Sequence, residues 1–234
     1  IFDAVMNYQL AHIILAFFGG NMINHKLAEG MMGLHAPHPA NAAQFAERTS
    51  QLLEIYPKEF SYAQMNLLDS HDMPRFLSLV QGDVCRLKLA YLFLMTYPGA
   101  PTIYYGDEIG LTGGRDPDNR KSFPWDKDTW NMDLLDSVKE LIMLRQSMPA
   151  LRTGSYKPVY AKERVVAYLR REGENSVLVV INADDSAQTV TIPLDDAFEK
   201  NTELQDQVGP RNFIVEDNKL LEITIPALTG MILA

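Results

Sequence analysis

Cysteine is almost absent: Cys85 is the single cysteine of 234 residues, so no disulfide can form within the chain. Set among Leu87, Leu89 and Ala90, it reads as a small core residue. A lone thiol slightly favours the cytoplasm and leaves secretion open. Positive charge is scarce as well. Against 30 Asp and Glu stand 21 Lys and Arg, a net charge of −9. Phosphate binding needs a basic face, so nucleic acid is not an expected partner. No apolar run is long enough to span a membrane; residues 87–97 are broken by Lys88 and end at Pro98-Gly99. No membrane partner is expected. The chain also begins without methionine or a charged-then-apolar leader, as at a cut point, and any signal peptide is expected upstream. Three histidines, His25, His35 and His38, gather near a Met- and Gly-rich stretch at residues 21–38. Their spacing fits no zinc pattern, so the stretch reads as a solvated loop, with no metal or cofactor expected.

What is present is ordinary for a globular protein, 47% hydrophobic and 22% charged. The first two thirds alternate strand-like and helix-like segments. Residues 2–8, 65–68 and 101–105 read as short strands. Residues 38–56 read as a helix with Phe45, Leu52 and Tyr56 near one face. Residues 84–97 read as a buried helix with Asp83 at its N-cap. Residues 134–148 place Leu134, Val138, Leu141, Ile142 and Arg145 at helical spacing. Strands alternating with helices imply a parallel sheet or barrel. Past Pro149 no helical period remains, and strands are expected at 165–170, 176–182, 187–192, 220–225 and 230–233. Gly173-Glu174-Asn175 reads as a hairpin turn. The expected division is an α/β domain at residues 1–152 and an all-β antiparallel domain at 153–234. Three strands cannot close a barrel, which takes about 250 residues. The first domain is therefore either a small open sheet or the back part of a (β/α)8 barrel.

The segment Asn66-Leu67-Leu68-Asp69-Ser70-His71-Asp72-Met73-Pro74-Arg75-Phe76 carries the most chemistry. A polar His-Asp pair directly follows an apolar strand. At the C-terminal end of a barrel strand, a carboxylate and an imidazole can bind sugar hydroxyls or stabilise developing positive charge. A plainer assignment makes Asp72 a helix cap and His71 a hydrogen-bonded surface residue.

The string Leu-Leu-x-Ser-His-Asp-x-x-Arg resembles the fourth short motif of the α-amylase family, at barrel strand seven. Residues 98–110, Pro-Gly-Ala-Pro-Thr-Ile-Tyr-Tyr-Gly-Asp-Glu-Ile-Gly, resemble that family's strand eight and its loop. Residues 112–121, ending before Pro124-Trp125, resemble the neopullulanase and cyclomaltodextrinase branch, and Phe2-Asp3-Ala4-Val5-Met6-Asn7-Tyr8 resembles its strand six. The resemblance implies strands six to eight of a (β/α)8 barrel followed by a β-sandwich. It implies that Asp72 is the auxiliary catalytic carboxylate that binds hydroxyls at the cleavage site and favours an oxocarbenium-like transition state. It implies that His71 binds the same ring, and that Asp116 and Arg120 contact the next sugars of an α-glucan oligosaccharide. Asp107 and Glu108 are mainly structural in that family. Trp125 and Trp130 suit either sugar stacking or packing.

A retaining glycosidase needs a nucleophile and an acid/base about 5 Å apart. The resemblance puts both on strands four and five, and no segment here resembles either. The chain alone is expected to be inactive on α-1,4-glucans. Its expected protein partner is the N-terminal barrel half or a second copy. A non-catalytic barrel kept as a carbohydrate-binding or interaction module is the alternative, as is an unrelated open α/β protein.

Overall fold

The computed structural model describes residues 4–194, 196–215 and 220–234. Its helices and strands, in chain order, are α1 (Tyr8–Ile14), α2 (His25–Ala28), α3 (Ala42–Glu54), α4 (Lys58–Ala63), β1 (Met65–Asn66), α5 (Phe76–Leu79), α6 (Val84–Thr96), β2 (Ala100–Pro101), α7 (Met132–Ser147) and α8 (Pro149–Thr153). Then follow β3 (Ser155–Lys162), β4 (Val165–Glu172), β5 (Asn175–Asn182), β6 (Gln188–Pro193), β7 (Glu203–Gln205), β8 (Asn212–Ile214), β9 (Leu220–Ile225) and β10 (Thr229–Leu233).

The three strands expected in the first part are parallel neighbours. Met6 bridges Met65, and β1 pairs β2 with Met65 opposite Ala100. They are shorter than the sequence suggests. Phe2 and Asp3 lie outside the described residues, and Tyr8 already belongs to α1. Asn7 ends the strand because its side chain caps α1, accepting from the Leu10 N–H at 3.1 Å. Likewise β2 ends at Pro101; the Thr102 N–H still donates to the Asn66 carbonyl at 2.7 Å, and residues 103–105 run on outside the strand. The close approach of the strands explains Gly99, whose φ is +115° and whose missing Cβ would lie 2.3 Å from the Asn66 side-chain nitrogen.

Asparagine and aspartate set the helix starts. The segment read as a helix from His38 begins at Ala42, because Asn41 and Gln44 form a reciprocal capping box. Asp83 caps α6 as expected, and Asn131 caps α7, whose first residue is two before the expected start. Cys85, expected in the core, is exposed in the first turn of α6, one turn before buried Leu89.

From residue 155 on, the described residues form antiparallel strands. β3, β4, β5 and β10 make one sheet in the order β10-β5-β4-β3, and β6-β9 and β7-β8 make two smaller ones. Gly173 and Glu174 form a two-residue hairpin, with Glu172 paired to Asn175 and Gly173 at φ +58°. Residues 165–169 of β4 are buried on both faces, and strand periodicity sorts them. Val166 and Tyr168 face the helices, whereas Val165, Ala167 and Leu169 face β6 and β9. An aromatic series carries the first core into the sheet. Phe17 stacks on Phe45 at 4.4 Å, Phe45 meets Phe93 at 4.8 Å, and Phe93 meets Tyr168 at 5.9 Å. Such pairs add about 0.5–1.5 kcal/mol each beyond area burial.

Candidate active site

Leaving β1, the chain stays buried through Leu67, Leu68, Asp69 and Ser70, then turns outward. The Met73 N–H donates to the Ser70 carbonyl at 3.2 Å, closing a turn over His71 and Asp72. Inside the turn the Asp72 N–H donates to the Ser70 hydroxyl oxygen at 3.1 Å. This geometry lifts both candidate side chains into solvent, 52% exposed for His71 and 43% for Asp72, with His71 Nε2 3.3 Å from Asp72 Oδ1. Asp72 caps no helix; the next helix, α5, begins four residues later.

The other Asp72 oxygen is held from the start of α1. The Tyr8 hydroxyl donates to Asp72 Oδ2 at 3.0 Å and lies 3.1 Å from the Ser70 hydroxyl, which is free to donate back to it. Burial raises the Tyr8 phenol above its ordinary value, and the Asp72 carboxylate adds to the shift. Tyr8 was missed as a site residue because it looked like the end of a strand. The available signal was Asn7, a capping residue that turns the chain there.

The loop between β2 and α7 closes the other side. Arg120 Nε lies 2.9 Å from Asp116 Oδ1 and donates to the His71 carbonyl at 3.1 Å. Asn119 donates one amide to the carbonyls of His71 and Met73, both at 2.9 Å. The structure thus brings His71, Asp72, Asp116 and Arg120 together through the His71 carbonyl, with Asn119 as a buried tie that sequence reading passed over.

Beneath the turn lie Asp69, Arg75 and Asp107, each at most 3% exposed. Arg75 donates to Asp107 Oδ1 at 2.6 Å, to the Tyr105 carbonyl at 2.8 Å and to the Asn119 carbonyl at 3.1 Å. Its guanidinium lies 4.5 Å from the Tyr104 ring centroid and 4.8 Å from that of Tyr105. Burial pushes the Tyr104 phenol up to about 12, helped by its hydrogen bond with Tyr105. Burial also drives both the Asp69 and Asp107 carboxyls above their ordinary range. Asp107 is buried and ion-paired with Arg75.

The remaining candidates scatter. Trp125 is 82% exposed, and Phe123 meets it at 4.8 Å. Trp130 donates its indole N–H to the Pro124 carbonyl at 2.7 Å. His35 pairs with Glu29 at 2.8 Å, while His25 and His38 face solvent. Among the described residues no three His, Cys, Asp or Glu side chains converge as a metal site would require, and no helix is long and apolar enough to cross a membrane.

Known proteins share this arrangement. The α-amylase catalytic-domain family matches residues 1–133, and the α-amylase C-terminal domain family matches residues 154–233. The cyclomaltodextrinase of Geobacillus thermopakistaniensis is 41% identical over 196 residues, 83% of this chain and 30% of its own length. Neopullulanase 2 of Thermoactinomyces vulgaris is 35% identical over 193 residues, 82% of this chain and 30% of its own. The crystal structure of Ttha1563 from Thermus thermophilus superposes with a TM-score of 0.92 at 38% identity, covering 100% of this chain and 48% of that one. The chain thus spans 30% of the length of those curated relatives. Both the α/β part and the antiparallel domain that follows have their counterparts, and the chain belongs to the α-amylase family.

Proposed function

We propose that this chain is the C-terminal part of a retaining hydrolase of α-1,4-linked glucans, with a barrel part at residues 1–152 and a β-domain at 153–234. Maltooligosaccharides, cyclodextrins and pullulan are the substrate class. The observation that carries the reading is the turn itself: an exposed carboxylate held by Tyr8 and His71, on a parallel-strand end, beside the Asp116–Arg120 pair. The chemistry asks for such a group. Glycosidic cleavage passes through an oxocarbenium-like state whose positive charge and distorted ring favour a fixed carboxylate and strengthened hydroxyl hydrogen bonds. Asp72 supplies the carboxylate, and His71 presents an imidazole to the same ring. Arg120 and Asp116 offer a donor and an acceptor for hydroxyls of the next sugar units.

Asp72 is neither nucleophile nor acid/base in this scheme, and those two carboxyls lie on strands the chain does not contain. The test has two arms, both read as reducing-sugar release from starch, pullulan and cyclodextrin. In the intact protein, Asp72→Ala should lower kcat on the order of ten-thousandfold. The 234-residue chain alone should release none above background. An intact Asp72→Ala protein of undiminished rate, or clear turnover by the chain alone, would refute the assignment.

A further inference from the structure

The buried group under the site has an unbalanced charge count. Asp69, Arg75 and Asp107 are at most 3% exposed, so two carboxyls face one guanidinium. Arg75 compensates one negative charge through its 2.6 Å contact with Asp107. A second bare carboxylate at that depth would be left without compensation for the water it has lost. The hydrogen bonds show where the surplus is resolved. Asp69 Oδ2 accepts the Phe76 N–H at 2.5 Å, but Asp69 Oδ1 meets no N–H or hydroxyl donor. The Asp69 side chain is instead hydrogen-bonded to that of Asp107, the carboxyl that Arg75 holds. Two ionised carboxylates cannot hydrogen-bond each other.

We propose that Asp69 and Asp107 share one proton, and that the resulting neutral Asp69–Arg75–Asp107 group is the positioning device of the His71–Asp72 turn. The placement of the three residues supplies the second half of this. Asp69 immediately precedes the Ser70–Met73 turn and Arg75 follows it by two residues. Both are fastened to Asp107, which belongs to the loop after β2. The turn is therefore held at both ends by one residue of a neighbouring loop. Arg75 extends the hold, because its N–H donates to the Gly113 carbonyl and its side chain to the Asn119 carbonyl, while Asn119 in turn grips the turn's carbonyls. The groups facing the cluster do not supply another charge to balance it. Tyr91 on α6 and Tyr104 are neutral phenols held above their ordinary value, Tyr105 lies under the guanidinium, and Glu108 adds a further carboxyl; Arg120 acts on the outer side through Tyr104. Unpartnered atoms of Arg75, Tyr91, Glu108 and Asn119 show how few donors and acceptors this interior offers.

The consequence for the reaction rests on the role proposed for Asp72, but the proton count does not, and separate measurements read the two. In the intact protein at neutral pH, infrared spectroscopy should show a protonated-carboxyl band that disappears in Asp69→Asn and in Asp107→Asn. Each asparagine reproduces the protonated partner: an oxygen for the existing donor and an amide for the opposite carboxylate. Each single variant should therefore fold with activity within about threefold of wild type, since geometry is kept. The double variant leaves Arg75 uncompensated and should unfold more readily than either single variant. In wild type the folded pair keeps a proton that the unfolded chain releases, so stability should fall as pH rises from about 4, the unfolded aspartate value. Either asparagine should flatten that slope. Asp107→Ala, which frees both ends of the turn, should lower kcat about a hundredfold with KM nearly unchanged. Absence of the band, or single asparagine variants as damaged as the double, would overturn the shared proton. A band with normal kinetics in Asp107→Ala would overturn the positioning role, and an inert Asp72→Ala would instead strike the functional reading.

Discussion

Tyr8 is the residue whose importance the structure adds. Its hydroxyl fixes Asp72 Oδ2, and it arrives from the first residue of α1 rather than from the turn itself. Tyr8→Phe keeps the ring and removes the donor. The expected loss of stability is about 1 kcal/mol, because a partly exposed hydrogen bond is given up and water can replace it. The expected loss of kcat in the intact protein is larger, roughly tenfold, since a carboxylate free to rotate no longer presents a fixed geometry. Steady-state kinetics with unchanged kcat would show that His71 alone holds Asp72. At this scale the sequence was readable where chemistry is written in adjacent residues. His71 and Asp72 follow one another, and Asp116 and Arg120 are four apart. Tyr8 and Asp72 are 64 apart, and Asp69 and Asp107 are 38 apart, so only the fold brings them together.

Among the elements, the helices and strands with strong periodicity were legible and the short ones were not. α6 showed an apolar run and a capping residue, α7 showed apolar spacing, and β4, β5, β9 and β10 showed dense apolar runs. β3 alternates weakly and carries Pro158, with a register shift between Pro158 and Tyr160, so its pattern is blurred. α4, α5 and β7 span six, four and three residues, too few for a period to declare itself. Nor does periodicity reveal how an element ends. The carbonyls at the end of α6 and just past it are taken up by arginines from elsewhere. Arg145 of α7 donates to Met95, Tyr97 and Gly99 at 2.7, 3.1 and 2.6 Å, and Arg170 of β4 donates to Thr96. A cation at a helix C-terminus is favourable, and both side chains are buried. Burial lowers Arg145 only to about 10, so it stays charged at neutral pH. Arg145→Ala removes this tie between α6 and α7 and strands several carbonyls, and the loss should be about 3 kcal/mol. A shift of the urea midpoint corresponding to less than about 1 kcal/mol would mean that water satisfies those carbonyls equally well.

For the whole molecule, the two parts are joined tightly while one edge stands open. The first core continues through Tyr168 and Ile181 into the sheet, and Arg164 crosses to the carbonyls of Ala40 and Phe17. That junction should keep the β-domain from moving independently. The opposite side differs. Met6 pairs with Met65 on one flank, and among the described residues no strand lies on its other flank. Around that flank Val5, Ile55 and Tyr56 are 54%, 53% and 52% exposed, and Phe60 is 39% exposed. A groove of about 270 Å³ runs between Val5, Tyr8, Ile55 and Tyr56. An unpaired strand edge invites another strand, and contiguous exposed apolar side chains add a hydrophobic drive to the same place. The matched relatives are about three times longer than the region they share with this chain, and in a closed barrel that flank would be covered by the preceding strand. The 234-residue chain by itself should therefore associate, with a second copy or with a separately supplied N-terminal half. Light scattering coupled to size-exclusion chromatography checks it: the mass should exceed that of a 26.4 kDa monomer, and Val5→Lys with Ile55→Lys should reduce it. A folded monomer that stays soluble at high concentration would show that the open edge is shielded within the chain.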